Sequence, residues 1–324
     1  MGNPIIFDQV SKIYHDRQVA LSDMSFRIPE GSTVGLLGAN GSGKSTAIRL
    51  ILGLIRPSAG AIEVLGQSMH PAAKEARQRI GYLSDNPVFP NDLTAIAYLT
   101  FVGRCFGLGR RDLNGRIGNL LRAVGLKDEA GRKTSQYSTG MKTRLGIAAS
   151  LMNDPEILVW DEPTAGLDPI SRKQTLDLLE KIGGEKTILL SSHILGDIDR
   201  VCDRLLVINQ GQLLFDGHRT ELENLLPETM LEIHVSGDLD IFRSRIKSQF
   251  DVQELQSRQQ KGRFRLELHR EEKIGVVIDQ LVKLTKECDV AIQSINSTGR
   301  RLEDSYLKLI SEDEFRGFVR FSKS

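Results

Sequence analysis

The chain is poor in aromatic residues, 6% of 324 positions with a single tryptophan, and holds only three cysteines. Cys105, Cys202 and Cys288 are odd in number, far apart and in no C-x-x-C pair, which excludes a disulfide scaffold and suits a reducing compartment. No run approaches the ~18 consecutive apolar residues of a membrane span, and no charged, apolar and small leader opens the sequence. Neither a span nor a secretory signal is expected. The start MGNPII has Ile6 where an N-myristoylation signal needs Ser or Thr. Charge of one sign is also missing: 43 Lys and Arg against 42 Asp and Glu leave a net +1 and a pI of 7.7. Such a chain has no overall field to attract polyanions, so no nucleic-acid partner is expected. What remains, 40% hydrophobic and 26% charged residues, is an ordinary globular mixture, and the length is a prior for about two domains.

The first two-thirds alternates strand and helix patterns. Ile5 to Val10 and Met24 to Ile28 read as short strands, and Thr33 to Leu37 as a buried one that runs into GANGSGKST. Ile48, Leu50, Ile51, Leu52, Leu54 and Ile55 are too densely apolar for a surface helix, and Arg56-Pro57 is expected to end that helix. Between about Asp92 and Gly125 the strand pattern stops and Leu113, Ile117, Leu120, Leu121 and Val124 repeat at helical spacing, so an inserted helical subdomain is expected over about 87–150. Alternation resumes with the strand Ile157 to Trp160, a helix from Asp168-Pro169, the strand Thr187 to Ser191 and a helix bearing Ile194, Ile198 and Val201. Thr220 with Glu223 reads as a capping box for a short last helix. Near Pro227 the character changes: Leu231, Ile233 and Val235, and later Phe264, Leu266 and Leu268, alternate with polar residues as half-wet strands. With helices around 238–250 and 271–286 the order is β-α-β-β-α-β, that of a small ferredoxin-like α+β domain. Domains are therefore expected at 1–226 and 227–312, followed by a tail over 313–324 with too little periodicity to place.

GANGSGKS, Gly38 to Ser45, fits G-x-x-x-x-G-K-[ST], with an apolar strand before it and a helix after it. Glycines in such a loop let backbone N–H groups face a phosphate chain, the next helix points its positive end there, Lys44 adds a cation and the Ser45 hydroxyl can ligate Mg²⁺. A nucleoside triphosphate is the natural ligand. In ILVWDEP an apolar strand ends in two carboxylates: Asp161 can hold the metal, and Glu162 can orient or deprotonate a water. YSTGM places Ser138 and Gly140 at a helix start, a second anion site that could serve a second molecule. His193 in SSHIL follows another strand.

In this order and spacing GANGSGKST, YSTGM, ILVWDEPTAGLDP and SSHIL resemble the Walker A, signature, Walker B with D-loop, and switch-histidine motifs of the ATP-binding cassette (ABC) ATPases. The resemblance covers about residues 3–222 and implies an α/β P-loop NTPase fold with the helical insertion. The C-terminal part resembles that of exporter-type ATPase subunits of gliding and drug-efflux systems. In that family two chains pack head to tail, each Walker A site facing the partner's signature helix across ATP. The resemblance implies that Gly38, Asn40, Gly41, Ser42, Gly43, Lys44, Ser45 and Thr46 hold phosphates and Mg²⁺, and that Asp161 holds the metal. It further implies Glu162 on the attacking water, His193 on the γ-phosphate, Ser138 and Gly140 acting in trans, Asp168 as the D-loop carboxylate and Tyr14 stacked on adenine.

Three residues depart from the family. Where a glutamine usually senses γ-phosphate and Mg²⁺, Asp85 stands, with Asn86 beside it; a carboxylate ligates Mg²⁺ but repels a bare phosphate, so metal dependence should be stronger. Thr139 and Met141 replace the usual Gly and Gln of the signature. The leading expectation is an ATPase subunit energising export through a separate transmembrane permease, peripheral on the inner face of the cell membrane, and paired with an identical or paralogous cassette. Its permease should dock near Asn86 to Phe101, where Phe89, Tyr98, Leu99 and Phe101 are apolar. The rival is a soluble cassette ATPase working as a nucleotide-dependent regulator or on ribosomes or nucleic acid. The near-neutral charge and the single cassette count against it.

Overall fold

The computed structural model describes residues 2–15, 18–224, 229–258, 261–268, 274–299 and 302–321. They divide into two units, Met1–Arg219 and Thr220–Ser324. That division falls before the 226/227 boundary expected from composition, and residues 225–228 lie outside the described residues.

The first unit opens with β1 (Ile5–Ile13), β2 (Val19–Ile28), β3 (Thr33–Leu37), α1 (Lys44–Ile51), β4 (Ala59–Val64), β5 (Gln67–Ser68), α2 (Lys74–Gln78) and β6 (Ile80–Leu83). Three helices follow, α3 (Ala95–Cys105), α4 (Arg110–Ala123) and α5 (Thr139–Ser150), in the region expected to be helical. The unit ends with β7 (Ile157–Asp161), α6 (Pro169–Ile182), β8 (Thr187–Ser192), α7 (Leu195–Val201), β9 (Arg204–Asn209) and β10 (Gln212–His218). One sheet is antiparallel, in the order β2-β1-β4-β5; the other runs β10-β9-β3-β8-β7-β6 and is parallel except for β10. Every residue of β3, β7 and β8 is buried, which is why their sequences read as continuous apolar runs without alternation. Helix α1 lies in a core shared by both sheets, with Ile48, Leu50 and Ile51 beside Phe7, Val10, Ile62 and Val159.

Two expectations are corrected here. Helix α1 stops at Ile51, ahead of Arg56-Pro57, because Gly53 N–H turns back to Leu50 O and Leu54 N–H to Arg49 O, both at 2.9 Å, and Leu54 is left exposed. The first two strands are also longer than their sequence pattern predicts, since pairing of β1 with β2 continues through irregular registers to Ile13 and Val19.

The second unit contains β11 (Thr229–Ser236), α9 (Asp240–Gln249), β12 (Val252–Arg258), β13 (Lys261–Leu268), α10 (Ile274–Glu287), β14 (Ala291–Gly299) and α11 (Leu302–Phe321), preceded by α8 (Arg219–Glu223) at the division. Its antiparallel sheet runs β12-β13-β11-β14. Leu231, Ile233, Val235, Phe264 and Leu266 pack with Phe242 and Ile246 of α9 and Val277, Leu281 and Leu284 of α10 in one core, so period-two strands meet period-3.6 helices as the pattern requires. Thr220 is the second residue of α8 and not its cap, so the expected capping box is not the start of that helix. The tail expected to be unplaceable is helical to Phe321 as the continuation of α11, whose first turn is anchored by the buried Leu302 and Ser305; extending an existing helix costs far less than starting one.

The opposite face of this sheet is held by charge. Glu232, 3% exposed, receives Nη2 of Arg263 at 2.6 Å on one carboxylate oxygen and Nη2 of Arg265 at 2.8 Å on the other, while Arg265 Nη1 donates to Asp304 of α11 at 2.9 Å. Burial pushes the Glu232 carboxyl up, but the hydrogen bonds and charges of the two arginines bring it net below its ordinary value. A depressed carboxyl adds stability above its unfolded pKa, and that stability is lost as the pH falls through the folded value. Glu232→Gln should therefore lower unfolding stability at pH 7 by about 2–4 kcal/mol. In urea titrations the gap to the wild type should shrink as the pH drops below about 4; equal midpoints at pH 7 would refute the network's role.

Candidate functional site

The site is built at the carboxyl ends of three adjacent parallel strands. β3 pairs with β8 so that Leu37 lies opposite Ser192, and β8 pairs with β7 so that Ser191 lies opposite Asp161. The residues that follow each strand therefore emerge at the same level: the glycine loop, the Asp161-Glu162 pair and His193. Such a row of strand ends is where open α/β sheets bind ligands.

Gly43 caps α1 at φ 115°, and among the described residues no side-chain cap hydrogen bond closes this helix start. The helix starts at Ser138 and Asp168 are instead closed by their own residues. Ser138 Oγ accepts from Met141 N–H at 3.3 Å on α5, and Asp168 Oδ1 accepts from Ile170 and Ser171 N–H, both at 3.0 Å, on α6. An uncapped helix start with a cation beside it is a phosphate cradle. Lys44 Nζ donates to Gly38 O at 2.7 Å and to Ala39 O at 3.3 Å, and stands 3.6 Å from Glu162 Oε1. Ser42 is buried behind the loop, its hydroxyl without a partner among the described residues.

Glu162 has a left-handed φ of 48°, uncommon for a residue with a side chain, and its N–H donates to Ser191 Oγ at 2.9 Å. Its Oε2 lies 2.7 Å from His193 Nδ1 and also accepts the His193 N–H at 3.3 Å. Asp161 is nearly buried, with Oδ1 accepting from Ser191 Oγ at 2.5 Å and Oδ2 from Ser45 Oγ at 3.5 Å. Burial raises the Asp161 carboxyl above its ordinary value; the Ser191 hydroxyl opposes this, and the charges of Asp85 and Glu162 reinforce it. Ser191 was not singled out from sequence. The signal existed in the strand register, since the residue before Ser192-His193 must face the end of the Asp161 strand, but that register is a tertiary fact.

A cleft of about 320 Å³ gathers Tyr14, Asn40, Gly41, Gly43, Lys44, Ser45, Thr46, Asp85, Asp161 and Glu162. Arg49, one turn along α1, lines it as well and was also missed from sequence. The Tyr14 hydroxyl is 3.5 Å from Thr46 Oγ1, and Lys12 Nζ lies 5.3 Å from the centre of its ring. Asp85 is exposed at the cleft, its Oδ1 accepting from Asn86 N–H at 2.8 Å. Ser138, Gly140 and Asp168 do not line this cleft but gather elsewhere: a Cβ at Gly140 would stand 2.7 Å from Ser171 Oγ and 3.9 Å from Asp168 Oδ2. A larger hollow of about 610 Å³ opens among Glu30, Arg79, Glu156 and Lys186, but its cations are already engaged, Arg79 with Glu156 and Lys186 with Asp154.

The cleft's oxygen donors are hard ones, the hydroxyls of Tyr14, Ser45 and Thr46 and the carboxylates of Asp85, Asp161 and Glu162. Among the described residues no group of three or more His, Cys, Asp or Glu could hold a metal unaided. Oxygen donors of this kind suit Mg²⁺, which takes one or two carboxylates together with substrate phosphates and water. Gly43 combines its left-handed φ with a close fit: a Cβ there would lie 2.6 Å from Leu21 Cδ2 and 2.8 Å from Ala20 O. Gly43→Ala should cost about 2–3 kcal/mol of stability and weaken binding of a triphosphate measured by calorimetry; unchanged melting and affinity would show that the loop tolerates a side chain.

The ABC transporter family model matches residues 21–165. The ABC transporter ATP-binding protein YxlF of Bacillus subtilis is 35% identical over 233 residues, which cover 72% of this chain and 77% of that protein. The Nod factor export ATP-binding protein I of Burkholderia thailandensis is 37% identical over 237 residues, 73% of this chain and 75% of its own length. Among solved structures, the ATP-binding subunit of an ABC transporter superposes with a TM-score of 0.63 at 29% identity, covering 68% of this chain and 92% of that one. The chain therefore belongs to the ABC transporter family as one of its ATP-binding, ATP-hydrolysing subunits.

Proposed function

We propose that this subunit hydrolyses ATP to drive export through a separate transmembrane permease, and that it works as a head-to-tail dimer with an identical or paralogous cassette. The observation that carries the reading is the contact of Glu162 with both His193 and Lys44 at the cleft holding Ser45 and Asp161. Relatives named for Nod factor export support the direction.

In this reading the loop from Gly38 to Thr46, with Asn40, Gly41, Ser42 and Gly43, cradles the phosphates, and Lys44 swings from the Gly38 carbonyl to the phosphate chain. Ser45 and Asp161, with Asp85, would hold Mg²⁺, which supplies charge neutralisation at the phosphate oxygens. Glu162 accepts a proton from, or aligns, the attacking water, and His193, oriented by Glu162, contacts the γ-phosphate. Tyr14 stacks on adenine at the rim. Ser138 and Gly140 complete the partner's site in trans, and Asp168, which caps α6, links the two sites.

No helix among the described residues is long and apolar enough to cross a membrane, so the permease is a separate chain in this reading, with the subunit held at the cytoplasmic face of the membrane. Its docking surface is narrower than the sequence implied. Phe89 and Leu99 are core, while Val88 and Phe101 are 82% and 60% exposed. The cassette is assigned to 1–226 and the accessory ferredoxin-like domain to 227–312, with 313–324 as its tail.

Two outcomes test the proposal. On cell fractionation the subunit should sediment with membranes and co-purify in mild detergent with a polytopic protein; recovery only in the soluble fraction or with ribosomes would overturn it. Glu162→Gln should slow hydrolysis by roughly a hundredfold or more and accumulate an ATP-dependent dimer on size exclusion, whereas a variant that stays monomeric with ATP would remove the head-to-tail site.

A further inference from the structure

The hydrolytic pair Glu162 and His193 sits on two loops that leave different strands, β7 and β8. Behind them is Asp197 of α7, a carboxylate only 1% exposed. Its Oδ2 accepts from Thr164 Oγ1 at 2.5 Å, and its Oδ1 accepts from Arg172 Nε at 2.7 Å and stands 2.6 Å from Arg172 Nη2. Thr164 is itself 2% exposed.

Each partner belongs to a segment that carries a site residue. Thr164 follows Glu162 by two residues within one turn, which Ala165 N–H closes onto Glu162 O at 3.1 Å. Asp197 follows His193 by four, through a turn held by Ile194 N–H on Ser192 Oγ at 2.9 Å and Asp197 N–H on Ile194 O at 3.1 Å. Arg172 donates its own N–H to Asp168 O at 2.9 Å in the first turn of α6. One buried carboxylate thus joins the loops of Glu162, His193 and Asp168.

Burying an ionised carboxylate carries a desolvation cost that its pairing often only offsets, so such a group is a poor stabiliser compared with an apolar side chain of its size. What it supplies is geometry. Glu162 holds a left-handed backbone conformation, which persists only where surrounding bonds over-determine it. The Thr164–Asp197 bond fixes the chain two residues beyond it, and neither of its residues lines the cleft.

We infer that Asp197, acting through Thr164 and Arg172, is a positioning residue that sets the distance between Glu162 and His193 for ATP hydrolysis. This rests on the reading of Glu162 and His193 as the hydrolytic pair. Displacing reacting groups by about an ångström costs on the order of a hundredfold in rate. Loss of the Thr164 hydroxyl should therefore appear in kcat and not in the affinity for ATP, which is set by the loop at the end of β3.

The test uses the full chain and measures kcat and KM for ATP below the melting temperature of every variant. Thr164→Val, nearly isosteric but without the hydroxyl, should lower kcat by roughly ten- to a hundredfold with KM unchanged, and Thr164→Ser should restore most of it. In a His193→Ala background Thr164→Val should add little, because residues that act as a unit are not additive. Should Thr164→Val not fold, Arg172→Lys, at a partly exposed position, should lower kcat several-fold with KM unchanged. A lowered melting temperature with kcat intact, or an undiminished effect of Thr164→Val in the His193→Ala background, overturns the inference. Glu162→Gln run alongside separates the two readings. If it leaves turnover intact, the hydrolytic assignment fails; if it abolishes turnover while Thr164→Val and Arg172→Lys leave kcat unchanged, only the positioning role falls.

Discussion

In-register parallel pairing of β3 with β8 and of β8 with β7 is the interaction on which the site depends. Three chain segments far apart in sequence end at one level because their hydrogen-bond ladders end there, and no side chain could bring them together otherwise. The pairing requires all three strands to be buried on both faces, which the chain meets by placing α1 and the antiparallel sheet on one side. A one-residue slip of β7 against β8 would move Asp161 off Ser191 and turn Glu162 from His193. Backbone register, more than any single side chain, is the precision element.

The same fact explains what could be read from the chain alone. The glycine loop, the carboxylate pair and the histidine carry their chemistry in residue type and local spacing, so they were legible, as were the buried strands and the alternating strands of the second unit. Ser191, Arg49, Thr164 and Asp197 were not. Each is an ordinary residue locally and gains its meaning from a partner on another element: Ser191 from Asp161, and Asp197 from Thr164 and Arg172. Helix ends were misread for a related reason. The stop of α1 at Gly53 and the start of α8 at Arg219 are decided by backbone bonds and packing that compete with, and here defeat, the signals of Arg56-Pro57 and Thr220.

The second unit is organised by a different economy. One face of its sheet is packed with Phe242, Phe264 and leucines, the other is closed by Glu232 between two arginines, with Asp304 bringing the start of α11 onto Arg265. A carboxylate with two guanidinium partners is directional where a leucine is not, so it specifies which turn of α11 meets the sheet. The same device recurs behind the nucleotide cleft at Asp197, again a buried acid with an arginine and a fixed number of bonds. Each unit thus sets a buried acid paired with arginine beside its apolar core, Asp197 in the first and Glu232 in the second.

Charge in the cleft has one further consequence. Asp85, Asp161 and Glu162 all line it, against Lys44 and Arg49 and the positive end of α1. Asp85 is there by topology: β6 pairs beside β7, Leu83 opposite Trp160, so the residue two beyond the strand end must face the carboxylate pair. With an amide at that position the cleft would carry one negative charge fewer. As it stands, a bare triphosphate would bring its own negative charge toward three carboxylates, and the Asp161 carboxyl, raised first by burial, is pushed further up by the charges of Asp85 and Glu162. A divalent ion bound to the phosphates would offset part of that repulsion and give Asp85 a cation to face in place of bare phosphate oxygens. In the reading proposed above, the metal–nucleotide complex, rather than free nucleotide followed by metal, would be the species that suits this arrangement of strand ends.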